Sequence, residues 1–220
     1  VHGEFNKKGI GELFEQLMAM SRKLQYQLLT EKGALGKLPF IDVEELDWKN
    51  SRIVFQGTEG SYSQEAMFRY FGKEINSFHV QKFRDAMEAI EEGSADFAVL
   101  PIENSTAGAV DEVFDLLVEF ENYIVDELVL PVRHALAGLP DATLSDIERV
   151  YSHPQALMQS ARYLDEHRDW QQISVANTAV AARKVLEDDD VKKAAICSEH
   201  AAEVYGLKVL DREINDNPAN

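Results

Sequence analysis

The chain has 220 residues, with 22 lysines and arginines against 39 aspartates and glutamates, a formal charge of −17. A balance this acidic repels phosphate backbones and anionic lipid headgroups, which excludes nucleic-acid binding and membrane-surface attachment as main functions. With 45% hydrophobic and 28% charged residues the composition is that of an ordinary globular protein, and the length accommodates one large core or two small lobes.

The chain opens with Ile10, Leu13, Phe14, Leu17, Met20, Leu24 and Leu28 at spacings of three and four, which predicts an amphipathic helix over 10–31. Gly33, Gly36 and Pro39 end it, and the acidic stretch 42–47 reads as a linker, setting residues 1–47 apart from a domain over 48–220. The stripe on this helix has nothing of its own to pack against, and a homodimer is expected from it. From Arg52 onward short β-rich runs alternate with helical patterns. Strands are predicted over 53–55, 76–80 and 95–100, with helices over 66–71, 83–92 and 110–120. Tyr123 to Val132 alternates in polarity and reads as a long strand or crossover that continues through His134 to Leu139. The pattern then restarts, with strands over 149–151, 173–176, 194–196 and 207–214 and helices over 155–167, 178–186 and 199–205. Such alternation predicts an α/β fold with mostly parallel sheets and a ligand outside the carboxyl ends of the strands. The apolar division at 123–139 predicts two lobes around a central cleft. If the last strand returns to the first lobe, the lobes are 52–130 with 208–220, and 131–207.

A single cysteine, Cys197, lies in an apolar run, so neither an intramolecular disulfide nor a cysteine-built zinc site is available. His79, His134, His167 and His200 show no metal-ligand spacing, and no metal or other cofactor is expected. No run approaches membrane-spanning length, and Val1 to Gly11 carries charges and glycines where an export signal needs an apolar stretch; a cytoplasmic location is expected.

Five strand-to-helix turns hold the polar residues of interest: Gly57 to Ser63 (with Ser61, Tyr62 and Ser63), Glu103-Asn104-Ser105-Thr106 through Gly108, Ser152-His153-Pro154-Gln155, Asn177-Thr178-Ala179, and Ser198-Glu199. Each is open to a plain reading as a helix cap, because Ser, Thr and Asn satisfy the free N–H groups there. Together they suggest more. Glycines in the first two turns allow close backbone approach, and none of the five contains Lys or Arg, so a bound anion would be held by neutral donors. That suits a small carboxylate.

Taken in order, these motifs resemble the prephenate dehydratases. The resemblance runs from about Arg52 to Asn220 and rests on Gly57–Ser63 with Ala66, Pro101-Ile102-Glu103-Asn104-Ser105 with Gly108, Ser152-His153-Pro154-Gln155-Ala156-Leu157, Asn177-Thr178-Ala179, and Ala194–Asn220 with Tyr205-Gly206-Leu207. It implies a two-lobe, periplasmic-binding-protein-like α/β domain that needs no cofactor and converts prephenate to phenylpyruvate with loss of carbon dioxide and water. Phe14 to Gln25 is similar to the last helix of the small all-helical chorismate mutases, where a Ser and a Gln at the spacing of Ser21 and Gln25 contact substrate. The arginine-bearing earlier helices of such a mutase are missing, so no mutase activity is expected.

The reaction needs a proton or strong hydrogen bond for the departing ring hydroxyl while the ring carboxylate leaves as carbon dioxide. Carried over by motif, the resemblance implies that Asn104 and Gln155 are amide donors to the substrate. Ser61, Ser105 and Thr178 would add hydroxyl or backbone contacts, and Tyr62, Ser63, Thr106, Ser152 and Asn177 lie in the same turns. Glu103 and His153 are the titratable candidates, each also readable as a structural residue. The family's candidate acid is a Thr in a Thr-Arg-Phe motif that follows the stretch matching Asn215–Asn220. Neither that motif nor the phenylalanine-sensing ACT domain falls within these residues, so weak turnover is expected. A non-catalytic two-lobe module that binds or senses a small carboxylate is the alternative, because fold alone does not give function. Prephenate and arogenate are not separated by the sequence.

Overall fold

The computed structural model describes residues 48–120 and 122–217, which belong to one compact unit, Asp47–Asn220. The expected helix over 10–31, with Ser21 and Gln25, and the linker lie outside the described residues.

The first lobe contains β1 (Arg52–Gln56), α1 (Tyr62–Phe71), β2 (Asn76–Val80), α2 (Phe83–Glu91) and β3 (Phe97–Val99), with the strands in a parallel sheet of order β2-β1-β3. Alternation along β1 builds both faces of the sheet. Ile53 and Phe55 cluster with Met67 of α1, while Val54 points the other way onto Ala86 and Ala89 of α2. A short hairpin, β4 (Glu103–Asn104) with β5 (Gly108–Ala109), leads into α3 (Asp111–Glu119). That helix packs on α2 through Val113, Leu116 and Met87, and Arg84 holds Glu119 with two bonds of 2.7 and 2.6 Å.

The second lobe is a five-stranded sheet of order β10-β6-β9-β7-β8, built from β6 (Ala135–Gly138), β7 (Arg149–Ser152), β8 (Gln171–Ser174), β9 (Lys193–Cys197) and β10 (Lys208–Asp211). Its helices are α4 (Pro154–Gln159), α5 (Ala161–Glu166), α6 (Thr178–Asp188) and α7 (Glu199–Val204). The core here is made of small residues: Ala181, Ala182 and Val185 of α6 cluster with Ala194 and Ala195 of β9, all completely buried. Alanine at these positions lets helix and sheet approach closely without losing apolar burial.

The α/β class and the two lobes expected from the sequence are present, and the prediction for β2 coincides with the strand. Four expectations are corrected. The last strand does not return to the first lobe: β10 pairs antiparallel with β6, so 208–211 belongs to the second sheet. The second sheet is also mixed rather than parallel, because β6 runs against β9. Residues 123–132 form no strand, which leaves the crossover of the two readings; Ile124, Val125 and Val129 are exposed. Finally, the helix expected over 155–167 is two helices, broken at Ser160, whose backbone leaves the helical region (φ −120°, ψ 24°).

Candidate active site

Strand direction gathers the site. In the first sheet the carboxyl ends of β1 and β3 lead into the Gly57–Ser63 turn and the β4–β5 hairpin. In the second, the carboxyl ends of β7, β8 and β9 lead into Ser152–His153, Asn177 and Ser198. Because β6 is antiparallel, with Ala135 opposite Cys197, its beginning rather than its end lies on that same edge, which brings in His134. The last segment arrives there too: Ile214 N–H donates to the His134 carbonyl (3.1 Å), and Asn215 Oδ1 accepts from the His134 N–H (2.6 Å).

The two edges meet in a continuous hydrogen-bonded series. Tyr62 of α1 places its hydroxyl 2.9 Å from His134 Nδ1 and 3.1 Å from the Arg133 carbonyl. His134 Nε2 lies 2.9 Å from Gln159 Oε1, Gln159 Nε2 donates to Thr106 Oγ1 (2.6 Å), and the Thr106 hydroxyl donates to Asn104 Oδ1 (2.7 Å). Asn104 Oδ1 also accepts the backbone N–H groups of Thr106 and Ala107, each at 3.0 Å. That carbonyl oxygen is committed to the hairpin turn, and the amide's N–H₂ end is what Asn104 can offer a ligand. A cavity of about 150 Å³ lies at this junction, lined by Thr106, Met158, Gln159, Asn215, Asp216 and Asn217. Burial pushes the Tyr62 phenol well above its usual range and pulls the His134 imidazole down, the latter partly offset by its bond to Gln159. Both groups are therefore neutral at neutral pH.

The other turns are built as helix caps. Ser61 accepts from Gln64 N–H (3.2 Å), His153 Nδ1 from Gln155 N–H (3.2 Å), Asn177 Oδ1 from Val180 N–H (2.8 Å), and Ser198 Oγ from Ala201 N–H (3.0 Å). Ser63 and Thr178 are partly exposed in the first turns of α1 and α6, and Ser105 and Glu103 are exposed on the hairpin. The Gly57–Ser63 turn is clamped by the second lobe. Gly60 has φ +78°, donates to Gln64 Oε1 at 2.6 Å, and lies so close to α7 that a Cβ would stand 3.1 Å from the Tyr205 ring and 3.2 Å from Ala201 Cα. Tyr205 donates to the Glu59 carbonyl at 2.9 Å.

Two sequence-predicted contacts are placed differently. Ser152 is fully buried and donates to the Ile196 carbonyl at 2.6 Å, so its hydroxyl ties β7 to β9 and does not line the cleft. The glutamine that reaches the hairpin is Gln159, at the end of α4, and not Gln155 at its start. Gln159 and His134 are thus the two junction residues that the sequence reasoning missed. Gln159 sits one helical turn after Gln155, and His134 follows Arg133 in an otherwise apolar run; only the antiparallel course of β6 makes it part of the cleft edge.

A larger open groove of about 480 Å³ lies on the faces of α1 and α7 and reaches Glu199 of the fifth turn. Its cations Arg69 and Lys73 are paired with Glu65 and Glu203. Among the described residues no group of three or more His, Cys, Asp or Glu side chains gathers to hold a metal ion, and no helix is long and apolar enough to cross a membrane.

The family model described as prephenate dehydratase matches residues 53–220. The chain belongs to the prephenate dehydratase family. A bifunctional chorismate mutase/prephenate dehydratase of Enterobacter agglomerans is 37% identical over 173 residues, covering 77% of this chain and 45% of the relative. The chloroplastic arogenate dehydratase/prephenate dehydratase 1 of Arabidopsis thaliana is 40% identical over 169 residues, 77% of this chain and 43% of the relative. A solved prephenate dehydratase from Arthrobacter aurescens, in complex with L-Phe, superposes with a TM-score of 0.70 at 32% identity, covering 77% of this chain and 57% of that one. The chain spans about half the length of the curated relatives it matches.

Proposed function

We propose that the cleft between the two sheet edges is a prephenate dehydratase site, converting prephenate to phenylpyruvate, carbon dioxide and water. The observation that supports this reading best is the junction itself: in a chain of this family, the Asn104 hairpin of one lobe is joined to Gln159 of the other through Thr106, beside a cavity. In the proposed reaction the bond from the ring to its carboxylate breaks, its electron pair enters the ring, and the ring hydroxyl leaves with a proton as water. Aromatisation supplies the driving force. The protein then has to hold a dianion in the right pose and donate hydrogen bonds to the leaving oxygen, which is work for positioned neutral donors. The N–H₂ ends of Asn104 and Gln159 are such donors. The Thr106 hydroxyl is already given to Asn104, so it orders that amide and accepts from Gln159.

His153 Nδ1 is occupied as a cap acceptor, which leaves Nε2–H as the only proton this imidazole can present in its neutral form. Glu103 stands exposed on the hairpin. We infer that neither is the principal acid and that the family's Thr-Arg-Phe stretch supplies it, so the 220 residues alone turn over weakly. Ser21 and Gln25 are proposed as part of a chorismate-mutase-like segment, and a homodimer in the cytoplasm as the native state; a monomeric mass by light scattering would contradict the dimer. The relatives' names contain both prephenate and arogenate, and competition between the two substrates decides the preference.

The test is phenylpyruvate formation from prephenate by the protein extended through the family's Thr-Arg-Phe stretch. Asn104→Ala is expected to lower turnover at least about tenfold with folding intact. Near-normal turnover in that variant removes Asn104 from the site.

A further inference from the structure

We propose that His134 is a positioning residue of this site, fixing the side-chain amide of Gln159 with its N–H₂ end turned to Thr106 and the cavity. The inference rests on the dehydratase reading of the cleft and deepens it.

The two ends of a glutamine amide have almost the same shape, so packing does not choose between them and hydrogen bonding must. The choice matters chemically. One orientation presents N–H groups to a carboxylate or a leaving oxygen, and the other presents lone pairs that repel it. The network resolves the choice from one end. Asn104 Oδ1 can only accept, and it already takes the Thr106 hydroxyl hydrogen at 2.7 Å. Thr106 Oγ1 must therefore accept from Gln159 at 2.6 Å, which turns Gln159 Oε1 to His134 at 2.9 Å. An oxygen there requires His134 to carry its proton on Nε2. Nδ1 is then an acceptor, and the Tyr62 hydroxyl, 2.9 Å from it and 3.1 Å from the Arg133 carbonyl, shares its one hydrogen between the two. Every bond in the series points the same way, from Tyr62 to Asn104.

His134 is well placed to act as the anchor. It is 2% exposed, and its backbone is held on both sides by Asn215 Oδ1 and Ile214 N–H. The Gln159 backbone is fixed as well, its carbonyl accepting from Asp216 N–H at 2.6 Å. Burial favours the neutral imidazole and the neutral phenol, the forms this direction of bonding needs. Gln159 thus has a fixed base, and one ring nitrogen decides which end of its amide faces the ligand.

Long-range ¹H–¹⁵N spectra of the protein at neutral pH test this without any substrate. His134 is expected as the neutral Nε2–H tautomer, and the Gln159 N–H₂ protons as a slowly exchanging, resolved pair. His134→Leu should collapse that pair. His134→Gln, whose Nε2 takes the place of the ring Nε2, should restore it, whereas His134→Asn, which reaches only the Nδ1 position, should not. In the extended protein kcat should follow the same order, with His134→Leu and His134→Asn lowered about tenfold to hundredfold and His134→Gln recovering most of the loss. An Nδ1–H tautomer in the unaltered protein overturns the proposal, as does a Gln159 pair indifferent to His134→Leu. Absence of turnover in all proteins would instead count against the dehydratase reading, and the spectra would still decide the role of His134.

Discussion

Ser152→Ala separates the two roles open to that serine. The hydroxyl is fully buried and gives its hydrogen to the Ile196 carbonyl at 2.6 Å. The β7–β9 ladder has its last paired residues at Tyr151 and Ala195, so the side chain continues the pairing by one step where the backbone register ends. Alanine fills nearly the same space, so no sizeable cavity opens. What is lost is one bond, and what remains is a buried carbonyl short of a partner. A net hydrogen bond contributes about 0.5–1.5 kcal/mol and an orphaned buried group is penalised by about 1–3 kcal/mol, so a destabilisation of about 1–2 kcal/mol is expected. For a chain of this size that lowers the thermal midpoint by about 2–8 °C in calorimetry. Turnover at a temperature well below the midpoint should change less than threefold, because the hydroxyl does not reach the cleft. An unchanged midpoint together with a large loss of turnover would refute the reasoning and return Ser152 to the substrate.

Other outcomes follow from the same geometry. Gln159→Leu should lower turnover of the extended protein at least about tenfold, while Gln155→Leu should have the smaller effect; the reverse order would restore Gln155 as the substrate amide. Gly60→Ala should destabilise by more than about 1 kcal/mol in denaturant unfolding, since φ +78° disfavours a side chain and the new Cβ would press on Tyr205 and Ala201. An unchanged unfolding midpoint would show that the turn and α7 do not pack as described. His134 and His200 are both depressed by burial, so the unfolded chain binds protons near their ordinary value of 6.5 while the folded chain does not. Stability from these groups is present above that value and is lost as the pH falls through it toward the folded values. The thermal midpoint should decline between about pH 7 and 5, and less steeply in His134→Gln. The paired carboxylates Asp96 and Asp188 are depressed from 3.8 and act only at lower pH, so a flat profile across the histidine window would contradict the burial assigned to His134.

Much of this fold was legible because its signals are local. The Asn76–Val80 strand, the cap at Ser61 and the cap at Asn177 each depend on residues within a few positions of one another. What escaped the sequence depends on distant partners. The helix break at Ser160 interrupts an unbroken amphipathic pattern, and the segment from Asp211 onward occupies the break: Asp216 donates to the Gln159 carbonyl and accepts from Arg162 N–H at 3.0 Å. The return of β10 to the second sheet is likewise a pairing choice with β6, some seventy residues earlier, for which neither strand carries a local mark. The candidate site divides in the same way. Asn104, Thr106 and Tyr62 stand in turns that their composition exposed, whereas Gln159 and His134 acquire their places from the helix break and from strand direction. Ser152 shows the converse, a motif serine whose position in the turn suggested a ligand contact and whose hydroxyl is spent on a neighbouring strand.

The measurement closest to the central claim is phenylpyruvate formation from prephenate at neutral pH, following this chain beside the same chain extended through the family's Thr-Arg-Phe stretch, against a no-enzyme blank. The account predicts product from the extended protein, lost with Asn104→Ala, and little from the 220 residues alone. Vigorous turnover by the shorter chain would place the acid among its own residues and bring Glu103 or His153 forward. No product from either protein, with both folded, would contradict the dehydratase reading and favour a module that only binds a small carboxylate.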